Sequence, residues 1–141
     1  MGKHKITTAA LLVSMLIGGS TPAFAERSGQ FGAGGAFHFK NSSLMAEGRY
    51  VKPLSPKTRI APAIAFDFDL EEAVLDLDFQ ILNPGTPYYG LGGINYADSD
   101  TGFNFGIGMN FNYSETSKGF GELKYIFFGW SGFVVNIGVY F

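Results

Sequence analysis

Apolar and polar residues alternate along most of this chain with a period of two. Phe133, Val135, Ile137, Val139 and Phe141 fall on one face of an extended segment. Val134, Asn136, Gly138 and Tyr140 fall on the other, as the pleat of a strand requires. In another stretch, Phe103, Phe105, Ile107, Met109, Phe111 and Tyr113 oppose Asn104, Gly106, Gly108, Asn110 and Asn112. Leu75, Leu77, Phe79 and Ile81 oppose Asp76, Asp78 and Gln80. Ile60, Pro62, Ile64, Phe66 and Phe68 oppose Ala61, Ala63, Ala65, Asp67 and Asp69. The pattern predicts eight strands, over residues 29–40, 43–52, 59–69, 73–83, 87–97, 102–113, 118–128 and 132–141. The fifth alternates least clearly, and Gly90, Gly92 and Gly93 predict a bulge there. Downstream of residue 25, no segment carries an amphipathic helical repeat of useful length.

Alternation alone also suits a soluble sandwich, where one face of each sheet is buried. Composition decides against that. The bulky face is Phe, Ile, Leu, Val and Tyr; the other is mainly Gly, Ala, Asn, Asp, Gln, Glu and Lys. A wet sheet face would carry many long charged side chains, yet charged residues make up only 16% of the chain. Small and uncharged polar residues suit a narrow, crowded interior instead. Segments of about 9–11 tilted residues are long enough to cross a bilayer, and an even strand number is what a single-chain bacterial barrel requires. The expected fold is all-β: an eight-stranded antiparallel up-and-down transmembrane β-barrel, apolar outside, with a polar and small-residue interior.

The N-terminal segment agrees with an exported protein. Lys3, His4 and Lys5 precede an apolar stretch from Ile6 to about Ile17, and Ala23-Phe24-Ala25 offers small residues at a cleavage site. These are the parts of a secretory signal peptide, with the cut expected between Ala25 and Glu26. The apolar run is too short for a transmembrane helix. Residues 26–141 then form one domain with eight basic and twelve acidic residues, a net charge of −4. No basic stripe points to nucleic acid. The chain has no cysteine, which excludes disulfides, thiolate metal sites and a lipid-anchored cysteine.

With both chain ends on the periplasmic side, the periplasmic turns are expected at 53–58, 83–87 and 114–117. The outer ones are expected at 41–42, 70–72, 98–101 and 129–131. Aromatics gather near both rims, Phe39, Phe68, Tyr96 and Trp130 at one and Tyr50, Tyr89, Tyr113 and Phe141 at the other, as at two membrane interfaces.

These residues resemble the small eight-stranded bacterial outer-membrane barrels, the group of the OmpA-type transmembrane domain and the OmpX-type proteins. The resemblance rests on the signal peptide, the eight alternating segments, Gly121-Glu122-Leu123-Lys124-Tyr125 and the closing Gly138-Val139-Tyr140-Phe141. It implies a cell outer-membrane location and a monomer. Its implied partners are membrane lipid, lipopolysaccharide and the barrel-assembly machinery, read through the outward set Phe133, Val135, Ile137, Val139 and Phe141. Glu47, Arg49, Glu122 and Lys124 look similar to the interior charge network of such barrels. The short expected outer loops depart from the pattern, in which outer loops are longer than periplasmic turns.

One scaffold hosts many activities, so the residues carry the function. The first expectation is a non-catalytic structural or stress-related barrel whose charged interior is a plug, with no cofactor and no metal. The second is a narrow pore, or a cavity for a small apolar ligand or lipid. It would be left by small inward residues: Gly32, Gly34, Ala36, Ala61, Ala63, Ala65, Gly90, Gly92, Gly106, Gly108 and Gly138. The same residues would equally admit Tyr88, Phe120, Phe128 and Tyr140 from facing strands. The third is a lipid A-modifying hydrolase, since His38, Ser42, Ser43, Asp67 and Asp69 supply the residue types of a Ser-His-acid set. No nucleophile motif surrounds either serine. Asp67, Asp69, Glu71, Glu72, Asp76 and Asp78 crowd one hairpin, but their spacing fits no calcium loop.

Overall fold

The computed structural model describes residues 29–141, and the cleavage site between Ala25 and Glu26 lies outside them. Every element in the described residues is a strand: β1 Gln30–His38, β2 Ser43–Ser55, β3 Thr58–Asp67, β4 Glu72–Leu82, β5 Tyr88–Ala97, β6 Asp100–Asn112, β7 Lys118–Phe127 and β8 Gly132–Tyr140. Each strand pairs antiparallel with the next, and β1 also pairs with β8, closing the sheet into a barrel. The seam runs from Gly32↔Tyr140 to His38↔Val134. Beyond it, the Phe141 N–H donates to the Phe31 carbonyl at 2.9 Å. No strand edge is left for another chain to extend.

Closure sorts the alternating residues. The large apolar side chains turn outward: Ile107 is 67% exposed and Ile137 61%. Exposed Phe, Ile, Leu and Val continue round all eight strands. A soluble monomer rarely exposes a contiguous apolar patch beyond a few hundred Å², so this belt marks an apolar surrounding. The inward positions hold the core, in three layers. Ala36, Met45, Ala65, Val74, Ala97, Ile126 and Val134 form an apolar cluster towards one rim, with Trp130 packed against it. Val51, Ala61, Phe120 and Tyr140 form a second towards the other. Charged and amide side chains lie between them.

Inward aromatics are seated on glycines of the neighbouring strand. Tyr89 pairs with Gly108 and Phe120 with Gly138. A Cβ on Gly108 would run into the Tyr89 ring, and one on Gly138 would stand 2.5 Å from Phe120 Cζ and 2.6 Å from the Ala33 carbonyl oxygen. Only glycine permits that approach. Covering a strand glycine with a cross-strand ring also protects its backbone and helps curve the wall.

Several expectations need correction. The irregularity lies between β2 and β3, not in β5, whose register is continuous on both sides. There, Tyr50 and Val51 have no register partner in β3, and the register shifts between Pro53 and Ser55. Pro62 is the physical reason for the gap, since it has no N–H to give to the ladder. The glycines of β5 read as a bulge because they lack the bulky side chains that reveal phase. With the phase settled, Gly90 and Gly92 face outward and Tyr88 is exposed, whereas Tyr89 is buried inside rather than at the rim. Phe128 sits in a turn and is 71% exposed. β2 runs on through Pro53 to Ser55, and β6 starts at Asp100.

All the turns are short. The rim that carries Gln30 and Phe141, here the terminal rim, has turns at 56–57, 83–87 and 113–117. The far rim has turns at 39–42, 68–71, 98–99 and 128–131. Asp98 and Ser99 both have positive φ, 45° and 68°, the backbone of the tight two-residue hairpin that matches strand twist. Asp67 fixes the turn before β4, its Oδ1 accepting from the Asp69 and Leu70 N–H groups at 3.0 Å each.

Gly138→Ala is expected to destabilise the folded barrel by about 1–3 kcal/mol, the usual cost of overpacking. Gly90→Ala, with nothing within 4 Å of its added Cβ, is expected to stay within about 0.5 kcal/mol of the parent. Urea unfolding in lipid vesicles, followed by Trp130 fluorescence, compares the two. Equal midpoints would contradict the close-approach argument.

Candidate functional site

The middle interior layer is built by strand alternation. Inward positions of β2 place Glu47 and Arg49 two residues apart, and those of β7 do the same for Glu122 and Lys124. All four side chains are buried. Arg49 reaches across the lumen to Glu122: Nη1 donates to Oε1 at 2.6 Å and Nη2 to Oε2 at 2.9 Å. This is the two-pronged geometry that guanidinium and carboxylate share. Arg49 Nε also donates to Glu47 Oε1 at 2.7 Å. The guanidinium lies 3.8 Å over the Phe120 ring, a cation–π contact that covers one of its faces.

Glu122 is the hub. Its carboxylate accepts from Tyr89 Oη at 2.7 Å, Gln80 Nε2 at 3.2 Å and Asn136 Nδ2 at 3.4 Å besides both arginine prongs. Asn136 Nδ2 also donates to Glu47 Oε2 at 2.9 Å. Strands β2, β4, β5, β7 and β8 therefore meet at one carboxylate and its neighbours. Lys124 belongs to a second group. Its Nζ donates to Asp76 Oδ2 at 3.1 Å and Asp78 Oδ2 at 3.0 Å, both on β4. Asn104 Nδ2 donates to Asp76 Oδ1 at 3.4 Å.

Thus Glu47, Arg49 and Glu122 share one network, while Lys124 is paired with two aspartates. Alternation in β4 sets those aspartates inward but does not name this partner. Tyr89, Gln80 and Asn136 were also missed as members. Their inward phase was readable in β4 and β8. In β5 the glycines hid it.

Two solved structures share this architecture. The N-terminal β-barrel domain of Pseudomonas aeruginosa OprF superposes with a TM-score of 0.67 at 17% identity, over 82% of this chain and 96% of that one. A de novo designed transmembrane β-barrel superposes with a TM-score of 0.64 at 14% identity, over 81% of this chain and 95% of that one. The fold is the closed, eight-stranded antiparallel β-barrel of these two structures. No protein-family model and no curated protein sequence matches the chain.

Within this barrel, the remaining candidate residues are distributed as follows. Phe133, Val135, Ile137, Val139 and Phe141 all face outward and are exposed, Phe141 at 77%. His38, Ser43 and Asp67 are inward and fully buried near the far rim. The His38 ring stacks on Trp130 with centroids 3.9 Å apart, and its Nδ1 accepts from the Asn41 N–H at 3.2 Å. Neither His38 Nε2 nor Ser43 Oγ has a hydrogen-bond partner. The nucleophile–base bond of a serine hydrolase is therefore not formed between them. The acidic residues of the β3–β4 hairpin do not converge. Asp76 and Asp78 turn inward to Lys124, while Asp67 holds the turn backbone. No group of three or more metal-ligating side chains occurs among the described residues.

Arg49→Met leaves Glu47 and Glu122 buried without their cation. A loss of about 3–5 kcal/mol is expected, measured by urea unfolding in vesicles. The pair Arg49→Met with Glu122→Gln should recover part of that loss. Additive costs in this double-mutant cycle would mean that the two side chains do not interact.

Proposed function

We propose that this chain is a closed, non-conducting structural barrel of a Gram-negative outer membrane, working as a monomer and without catalysis. The observation that carries the proposal is the Arg49–Glu122 pair, sealed between the two apolar interior layers. An eight-stranded interior is just wide enough for its own side chains. Here those side chains bond to one another across it, leaving ions no hydrated file. The exposed apolar belt supports insertion in a bilayer, with lipid and lipopolysaccharide as its surroundings. In this reading the terminal rim faces the periplasm. The far rim, with its tight turns, faces outward.

The belt residues of β8 also support a role in assembly. Phe133, Val135, Ile137, Val139 and Phe141 present an unbroken apolar row, which suits recognition by the barrel-assembly machinery. The hydrolase reading is disfavoured because His38 is sealed under Trp130 and bonded to the turn backbone.

Planar-bilayer recordings of the purified protein are expected to give no single-channel steps. Reproducible unitary conductance would overturn the closed reading. Deletion of Phe141 is expected to lower the amount of folded barrel at the cell surface. The same deletion should change the unfolding free energy of refolded protein by only about 1 kcal/mol, the value of its single hydrogen bond to Phe31. Normal surface assembly of the deletion would remove Phe141 from the assembly role.

A further inference from the structure

A cavity of about 600 Å³ opens at the terminal rim, below the inner apolar layer. Its polar wall is made by Gln30, Arg59, Asn110, Lys118 and Tyr140, which are inward positions on β1, β3, β6, β7 and β8. Pro87 and the outward-alternating β6 positions Met109 and Phe111 complete its lining. The charge in it is of one sign. Among the described residues, neither Arg59 nor Lys118 has a carboxylate partner, in contrast to Arg49 and Lys124 deeper inside.

Arg59 is the unusual member. Its Nε and Nη2 are buried and have no hydrogen-bond partner. The guanidinium carbon stands 5.0 Å from the Tyr89 ring centroid, a cation–π contact. The Asn110 Oδ1 atom is also buried and unpartnered, and the Tyr140 hydroxyl beside it is buried on the Arg49 side of the cavity. Buried donors without partners are costly unless an acceptor meets them. A fixed fork of N–H donors matches the oxygens of a phosphate group. Lys118, exposed at the rim, adds a second positive charge at the entrance.

We propose that this cavity is a binding site for a phosphate oxyanion, held by Arg59 and Lys118 with the Tyr140 hydroxyl as a further donor. The phosphate belongs to a phospholipid headgroup or to a free phosphate compound. This site adjoins the interior plug through Tyr89 and Tyr140 and does not depend on whether the barrel conducts.

The test uses the folded protein in octyl glucoside micelles, which carry no phosphate. Inorganic phosphate is titrated in one arm and short-chain phosphatidylglycerol in the other. The readouts are the NMR shift of the Arg59 Nε–H group and the thermal midpoint. A saturable response is expected, weakened about tenfold or more in Arg59→Gln, the loss of at least one charge-assisted hydrogen bond. Lys57→Gln alters a nearby turn charge outside the cavity and should leave the affinity unchanged. For the variant lacking the arginine, the thermal midpoint is the readout. A response to lipid alone assigns the headgroup; a response to inorganic phosphate assigns the oxyanion by itself. No saturable response in either arm would overturn the proposal. So would an equal loss in Arg59→Gln and Lys57→Gln. If Arg59→Gln does not refold, Lys118→Gln and Tyr140→Phe carry the same comparison, and unchanged affinity in both would overturn it.

Discussion

The rest of this barrel depends on the bond between Arg49 and Glu122. Wall hydrogen bonds join each strand only to its neighbours. The arginine on β2 and the carboxylate on β7 join strands that do not touch. Removing two charges from water costs several kcal/mol per ion. Here the cost is offset by shape: two parallel N–H···O bonds, a ring beneath the guanidinium, and amide and phenol donors on the remaining lone pairs. Such a network is favourable only when nearly complete. Its donors tie the spacing of five strands to one carboxylate, although Gln80 Oε1 and Asn136 Oδ1 have no partner of their own.

That geometry requires room, and the small inward residues supply it. Gly108 lets the Tyr89 ring lie flat enough for its hydroxyl to reach Glu122, and Gly138 admits the Phe120 ring that supports Arg49. Glycines that would weaken an ordinary strand become the seats of the aromatic side chains. The interior is therefore full, as expected of eight strands. It does not form an empty apolar tube. The opening at the terminal rim lies below the apolar cluster of Val51, Ala61, Phe120 and Tyr140.

Much of this was legible in the chain. Period-two alternation locates eight strands within a few residues, because one face of each must meet a different medium from the other. The inward positions of β2 read Met45, Glu47, Arg49, Val51, and those of β7 read Phe120, Glu122, Lys124, Ile126. Apolar, charged, charged, apolar: both strands state the layering of the interior. What could not be read was pairing across the lumen. Any inward acid satisfies Lys124 on pattern alone, and only strand tilt and register bring Asp76 and Asp78 to it. The phase of β5 was also hidden. Gly90, Gly92 and Gly93 carry no side chain to show which way they face, and Tyr89 was accordingly set at the rim. The gap opposite Pro62 followed from a missing N–H, a feature that the alternation of Ile60, Ile64 and Phe66 conceals.

The seam between β1 and β8 sets the order in which these pieces become stable. Gly32 meets Tyr140 and His38 meets Val134, pairs that stand almost a whole barrel apart along the chain. Hairpins can form locally and early, but the entropy of bringing the first and last strands together is met late. Until then both edges are open and Arg49 has no fixed counterpart on β7. A half-made wall thus exposes an unpaired ladder on one side and an unmatched charge within. Each fault is removed by the same closing step, so intermediates have little to hold them. The barrel is built to be either shut or unfinished.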